Sequence, residues 1–297
     1  MKVPNMYIEY IDYNDRQMLF DNNHMTRCDY FKNLPFRIQR IVLTPDNQNT
    51  QNIVEIAKKR LSNINFNSAN SSGDTRNLRE IQLKGLCGLI IEQLCFTMLN
   101  HYNTSKNVSI QIDSSNNSIN QVDIKIIKRW KDQSDIEHQA VKTVEIRSSF
   151  PFKPIAEAII KDFDILGTYT NHVKTIEMDK DFYLRFLFSL DYSNGQYVKN
   201  NKVGIDYSAT TVNFLSEQYF DDNLFLKRDL VVYFVGGATK EMMLDDTISY
   251  YGSMQSNNFN KSSTAKYRKL KIKNALDCIS IIQLMLNVVA DEASNGK

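Results

Sequence analysis

The sequence predicts a mixed α/β fold, a mixed central sheet flanked by helices. Three observations carry that prediction. Apolar and polar residues alternate strictly in VSIQI (108–112), VDIKI (122–126) and TVEIR (143–147), the period of a half-buried strand. Ahead of them, residues 77–99 place Leu86, Leu89, Ile90, Leu94 and Met98 at helical spacing. A second helical pattern covers residues 275–289. The chain has 297 residues, 42% hydrophobic and 11% aromatic, enough apolar surface for one large domain or two modest ones.

Taken in order, residues 1–74 form an N-terminal accessory region able to complete the same core, and residues 75–297 form the main domain with a basic C-terminal segment. Ile53, Ile56, Ala57 and Leu61 predict a short amphipathic helix, and NINFNSANSSGD (63–74) predicts a linker. In the long helix, Gly85, Gly88 and Glu92 share a second side. Glycine lowers helix propensity, so its expected return is close approach of a strand whose end then lies near Glu92. SSNNS joins the first two alternating runs as a hairpin. A helix is expected over 155–166, started after Pro154. Strands follow over 181–190 and 230–235, the latter closed by a tight turn at Gly236 and Gly237.

The second and third alternating runs carry the chemistry. Val122, Ile124, Val144 and Ile146 take one face, so Asp123, Lys125, Glu145 and Arg147 share the other. If those strands are neighbours, two carboxylates meet beside two cations. Hard oxygen ligands so placed suit Mg²⁺ or Mn²⁺ at Asp123 and Glu145, and such an ion assists hydrolysis of a phosphodiester.

The order of a helix bearing Glu92, a hairpin with Asp123 opening its second strand, and Val144-Glu145-Ile146-Arg147-Ser148-Ser149 on the next strand resembles the PD-(D/E)XK nuclease superfamily. The resemblance covers residues 78–150 and, through element order, reaches about residue 235. It implies a restriction-endonuclease-like fold and a Mg²⁺-dependent endonuclease, most simply a type II restriction enzyme. Asp123 and Glu145 would ligate the metal, Arg147 would stand where the family usually has Lys, and Glu92 would be the helix carboxylate. Gln121-Val122 replaces the usual Pro before Asp123. Arg147 stays protonated, so it holds phosphate but exchanges no proton with water; Lys125 is then the candidate ammonium. The alternative is a non-catalytic DNA-binding or assembly protein retaining the fold. A further pattern, HVKTIEMD (172–179), matches the HxKxxxxD of the phospholipase D superfamily, with His172 as nucleophile, Lys174 on phosphate and Asp179 closing the motif. The Gly-Ser-x-Asn that completes that pocket is missing, and the segment is expected to be a polar turn.

Other sites are excluded or assigned to partners. His24, His101, His138 and His172 lack zinc spacing, and no GxxxxGK[ST] loop is present. Cys28, Cys87, Cys95 and Cys278 form no CxxC pair and are expected to be reduced core residues of a cytoplasmic protein. No signal peptide or apolar run of about 20 residues is evident, so no membrane partner is expected. Net charge is only +2, so duplex DNA must be held by local clusters. Lys261, Lys266, Arg268, Lys269, Lys271 and Lys273 lie in a stretch, 247–276, without an acid; either they contact DNA or they form a solvated loop. Lys128 and Arg129, with Lys131 around Trp130, form a second cluster near Asp123. A homodimer and a companion DNA methyltransferase are the expected partners of a restriction enzyme.

Overall fold

The computed structural model describes residues 4–11, 36–63, 78–113, 122–151, 155, 158–170, 177–189, 218–253 and 266–292. Alternating and apolar runs build eleven strands among these residues: β1 (Asn5–Ile11), β2 (Phe36–Leu43), β3 (Val108–Ile112), β4 (Ile124–Lys131), β5 (Glu137–Ser149), β6 (Asp164–Thr170), β7 (Phe182–Ser189), β8 (Leu230–Thr239), β9 (Ser249–Ser253), β10 (Lys266–Lys271) and β11 (Leu276–Asp277). The main sheet has the order β1-β2-β8-β7-β5-β4-β3, with β11 paired to β8. The β5–β7 pair is parallel and the others are antiparallel. A second sheet, β6-β10-β9, packs against β7 through β6.

The long helix is α2 (Leu78–Tyr102), preceded by α1 (Gln48–Leu61) and followed by the short α3 (Lys240–Leu244) and α4 (Cys278–Glu292). Asn47 starts α1 by accepting the N–H groups of Asn49 and Thr50 at 2.9 and 3.2 Å, which satisfies two otherwise orphaned donors. α1 packs on α2, α2 on β3 and β5, and α4 on β2, β8, β11, β4 and β5. The fold is therefore mixed α/β, a large mixed sheet flanked by helices. At its centre β7, FYLRFLFS, is buried at every residue except Ser189, as expected of a strand covered on both faces. β1 and β2, from the N-terminal 74 residues, are strands of this same sheet. α2 is buried nearly all round, with Leu83, Leu86, Cys87, Ile90, Ile91, Leu94, Cys95, Met98 and Leu99 at 0% exposure. Contrary to the sequence expectation, Ile81–Tyr102 is long and apolar enough to cross a membrane by length and composition; 67% of its most apolar window is buried inside the protein.

Three other expectations are corrected. Residues 155–166 do not form one helix: a π-helical turn, Ala158–Asp162, leads into β6. Asp164, Ile165 and Leu166 pair instead with Lys271, Leu270 and Lys269 of β10, a long-range ladder that overrides local helix propensity. Gly236 and Gly237 do not end a strand, because β8 continues to Thr239 through a bulge opposite Arg185 and Phe186. A Cβ at Gly237 would lie 2.4 Å from the Tyr183 carbonyl oxygen, and Gly236 sits at φ +130°; both positions therefore require glycine. The stretch 247–276 contains β9 and β10, not simply a loop.

Candidate active site

Register decides what β4 and β5 bring together. Ile124 pairs with Val144, and the Asp123 N–H, one residue earlier, donates to the Val144 carbonyl at 3.1 Å. Asp123 thus stands opposite Glu145 on the same side of the sheet. Asp123 Oδ2 accepts the Ile146 N–H at 2.6 Å. Both acids are buried, at 8% and 7% exposure. They line a cavity of about 180 Å³ together with Glu92 of α2, Arg147 of β5, Tyr169 of β6 and Glu177.

Four carboxylates around one small cavity set its electrostatics. Burial raises the Asp123 carboxyl well above its ordinary value, and Glu145 and Glu92 add to the rise; the Ile146 N–H and Arg147 oppose it without cancelling it. Burial also raises Glu92, opposed by Arg60 of α1, whose Nη2 lies 2.5 Å from Glu92 Oε2. Arg147 Nη2 sits 2.6 Å from Glu145 Oε1 and 3.7 Å from Glu177 Oε1. Burial disfavours the charge of Arg147, but Glu145, Tyr267, Glu177 and Asp123 outweigh it and hold the guanidinium protonated. Its Cζ is 5.3 Å from the centre of the Tyr169 ring, and the Tyr169 N–H donates to Glu177 Oε2 at 2.8 Å.

Of the residues singled out from sequence, Asp123, Glu145, Arg147 and Glu92 meet in this cavity. Lys125 does not line it: its Nζ pairs with Asp113 Oδ2 at 3.1 Å, and this corrects its expected role as the site's ammonium. The glycine argument for Glu92 also fails at Gly88, where an added Cβ would meet nothing within 4 Å. The ion pair with Arg60 positions Glu92 instead.

Sequence reasoning missed Glu177, which lies within the HVKTIEMD segment assigned to a polar turn, and it missed Arg60, at the end of the amphipathic helix. Of that segment, His172 and Lys174 fall outside the described residues, and Asp179 is exposed and does not line the cavity.

The C-terminal basic cluster is not uniformly solvated. Arg268 and Lys269 are buried, at 8% and 5% exposure. Lys269 Nζ lies 2.9 Å from Asp164 Oδ2, and Arg268 pairs with Asp246 while its Nε donates to the Met243 carbonyl. Lys269 is thus an interior ion-pair partner, and Arg268 is buried against the Met243 carbonyl with its ion pair reaching out to the exposed Asp246, which corrects their assignment to DNA. Lys266 and Lys271 are exposed, Lys273 is half-buried, and Lys261 lies outside the described residues. On β4, Lys128 is half-buried and Arg129 exposed, beside Trp130 stacked on His138 at 5.7 Å.

Among the described residues no group of three or more His, Cys, Asp and Glu side chains is arranged to hold a metal ion. Arg60 takes an oxygen of Glu92, Arg147 one of Glu145, and the Ile146 N–H one of Asp123. The donor set itself is hard oxygen, concentrated and buried, with Glu92, Asp123, Glu145 and Glu177 lining a cavity beside Arg147. That chemistry fits a small divalent cation.

No family model matches the chain, and no solved structure matches it. An uncharacterized protein of Methanocaldococcus jannaschii, MJECS01, is 30% identical over 212 residues, covering 69% of this chain and 71% of that protein.

Proposed function

We propose that this chain, which belongs to the same family as that Methanocaldococcus jannaschii protein, is a metal-dependent endodeoxyribonuclease of the restriction-endonuclease type, a reading that rests on the geometry of the site alone. The observation that carries the proposal is the meeting of Asp123 and Glu145 across adjacent strands in a cavity that also receives Glu92, Glu177 and Arg147. Asp123 and Glu145 would hold Mg²⁺ or Mn²⁺, with Glu92 beside them. When bound, the ion supplies Lewis-acid polarisation of the phosphodiester and a lowered pKa for water. Arg147 would exchange part of its contact with Glu145 for the phosphate oxygens, which its planar fork matches. As a permanent cation it serves as a clamp and not as a proton carrier. Arg129, farther along β4, leaves the sheet on the same side as Asp123 and would hold a flanking backbone phosphate, whereas its neighbour Lys128 leaves on the opposite side. A homodimer on duplex DNA, protected in the cell by a companion methyltransferase, is the simplest setting.

One observation favours a second reading. Arg60 and Arg147 already contact Glu92 and Glu145 directly, as they would in a non-catalytic DNA-binding protein whose site has become a structural ion network. Incubating the full chain with supercoiled plasmid, Mg²⁺ or Mn²⁺, and EDTA controls separates the two. Cleavage lost in EDTA and in Asp123→Ala and Glu145→Ala, with DNA binding kept in Ca²⁺, supports the nuclease. DNA binding without cutting at any concentration of either metal overturns it.

A further inference from the structure

A second imbalance of the opposite sign lies next to the carboxylates. Arg147 and Arg185 are direct partners across the parallel β5–β7 pair, so their side chains leave the sheet on the same side. Like charges placed this way repel unless a counter-charge joins them. Arg185 is 1% exposed. Its Nη2 donates to Ser149 Oγ at 2.9 Å, and its Cζ lies 5.5 Å from the centre of the Phe163 ring.

Among the described residues, three nitrogens of this pair are buried without an acceptor: Nε of Arg147, and Nε and Nη1 of Arg185. Each such donor costs free energy when its partner is missing. Asp164 is the acid that acts on Arg185, but its Oδ2 is engaged by Lys269 at 2.9 Å and by the Tyr250 hydroxyl at 2.7 Å. Burial lowers the Arg185 pKa to about 10, Asp164 opposes this and Arg147 adds to it; at neutral pH the group remains a cation. Between them the two adjacent guanidinium groups offer separate N–H donors, not one fork, and such donors can meet different oxygens of a tetrahedral oxyanion.

We propose that Arg147 and Arg185 form a phosphate subsite abutting the carboxylate cavity, with Arg147 shared between the two. The inference deepens the nuclease reading, on which its assignment to a backbone phosphate rests: Arg185 becomes a second phosphate ligand beside the metal-binding acids.

The test uses the metal-free full chain and inorganic phosphate. In ¹H–¹⁵N spectra of the wild type, the Nε–H resonances of Arg147 and Arg185 should both move on titration with phosphate, and not with chloride at equal ionic strength. Calorimetric affinity should fall about tenfold in Arg185→Gln, the loss of a charge-assisted hydrogen bond. A short single-stranded oligonucleotide in Ca²⁺ should compete with phosphate. An unmoved Arg185 resonance, an equal response to chloride, or unchanged affinity in a folded Arg185→Gln overturns the subsite. Failure of the oligonucleotide to compete assigns it to free phosphate and overturns the backbone assignment. If phosphate moves both resonances while plasmid stays uncut, the subsite stands and the nuclease reading falls.

Discussion

Two charge clusters built on buried cations and acids differ in how they are balanced; in the first, one acid, Asp246, is exposed. In the small sheet, Lys269 meets Asp164, which also accepts the Tyr250 hydroxyl, and Arg268 meets Asp246, Ser249, Tyr251 and the Met243 carbonyl. Cations there have acids or carbonyls within bonding reach. Among the described residues around the cavity, four carboxylates outnumber the two arginines that touch them, while Arg147 and Arg185 keep buried donors without acceptors. A matched cluster closes on itself and holds the fold together. An unmatched one, with excess acid on one side and excess donors on the other, is complementary to a cation and an anion from outside.

The largest break in this comparison comes from the acids. Asp123→Ala and Glu145→Ala should each lower Mg²⁺-dependent plasmid cleavage about 10³-fold or more, the equivalent of several kcal/mol of lost electrophilic assistance, with little change in circular dichroism. In the matched cluster the loss should fall on stability. Lys269→Ala strands the buried Asp164 and should cost about 3–5 kcal/mol in urea unfolding; the double replacement Asp164→Leu with Lys269→Met should recover most of it.

A pH series sharpens the contrast. Because the Asp123 carboxyl is raised in the folded state by burial and by Glu145 and Glu92, the metal-free native protein binds a proton that the unfolded chain has released. Its stability should therefore fall as pH climbs from the ordinary carboxylate value through the raised one. Asp123→Asn should flatten that part of the profile, and Mg²⁺ should stabilise the wild type at the upper end while leaving Asp123→Asn unchanged. A pH-independent difference between the two proteins would sink this account. The smallest effect is expected at Gly88, where open space surrounds the missing Cβ: Gly88→Ala should add about 0.5–1 kcal/mol to thermal stability through helix propensity alone.

Much of the hairpin and the following strand was legible because a period of two is a local property. Val122, Ile124, Val144 and Ile146 declare one face, and Asp123 and Glu145 are left with the other whatever surrounds them. The segment 155–166 was not legible, since Ile159, Ile165 and Leu166 suit a helix or a strand equally and only the ladder with β10 selects the strand. Arg268 and Lys269 misled for a related reason. A basic run looks solvated until the acids that match it, Asp246 and Asp164, are seen to arrive from separate elements. Glu177 and Arg60 gave no local signal, because Glu177 reaches the cavity, and Arg60 reaches Glu92, through packing between distant segments.

By itself, then, the order of residues determined which side chains share a strand face, and hence that Glu145 and Arg147 travel together, as do Asp123 and Lys125, while the pairing of β4 with β5 brought Asp123 to Glu145. Alternation is set by backbone stereochemistry and needs no partner. Only the tertiary structure decided that Glu92 and Glu177 join them, that Lys125 turns away to Asp113, and that Arg185 lies beside Arg147. Those facts depend on register and on long-range packing, where burial makes the pairing of each charge a matter of which distant group fills the space beside it.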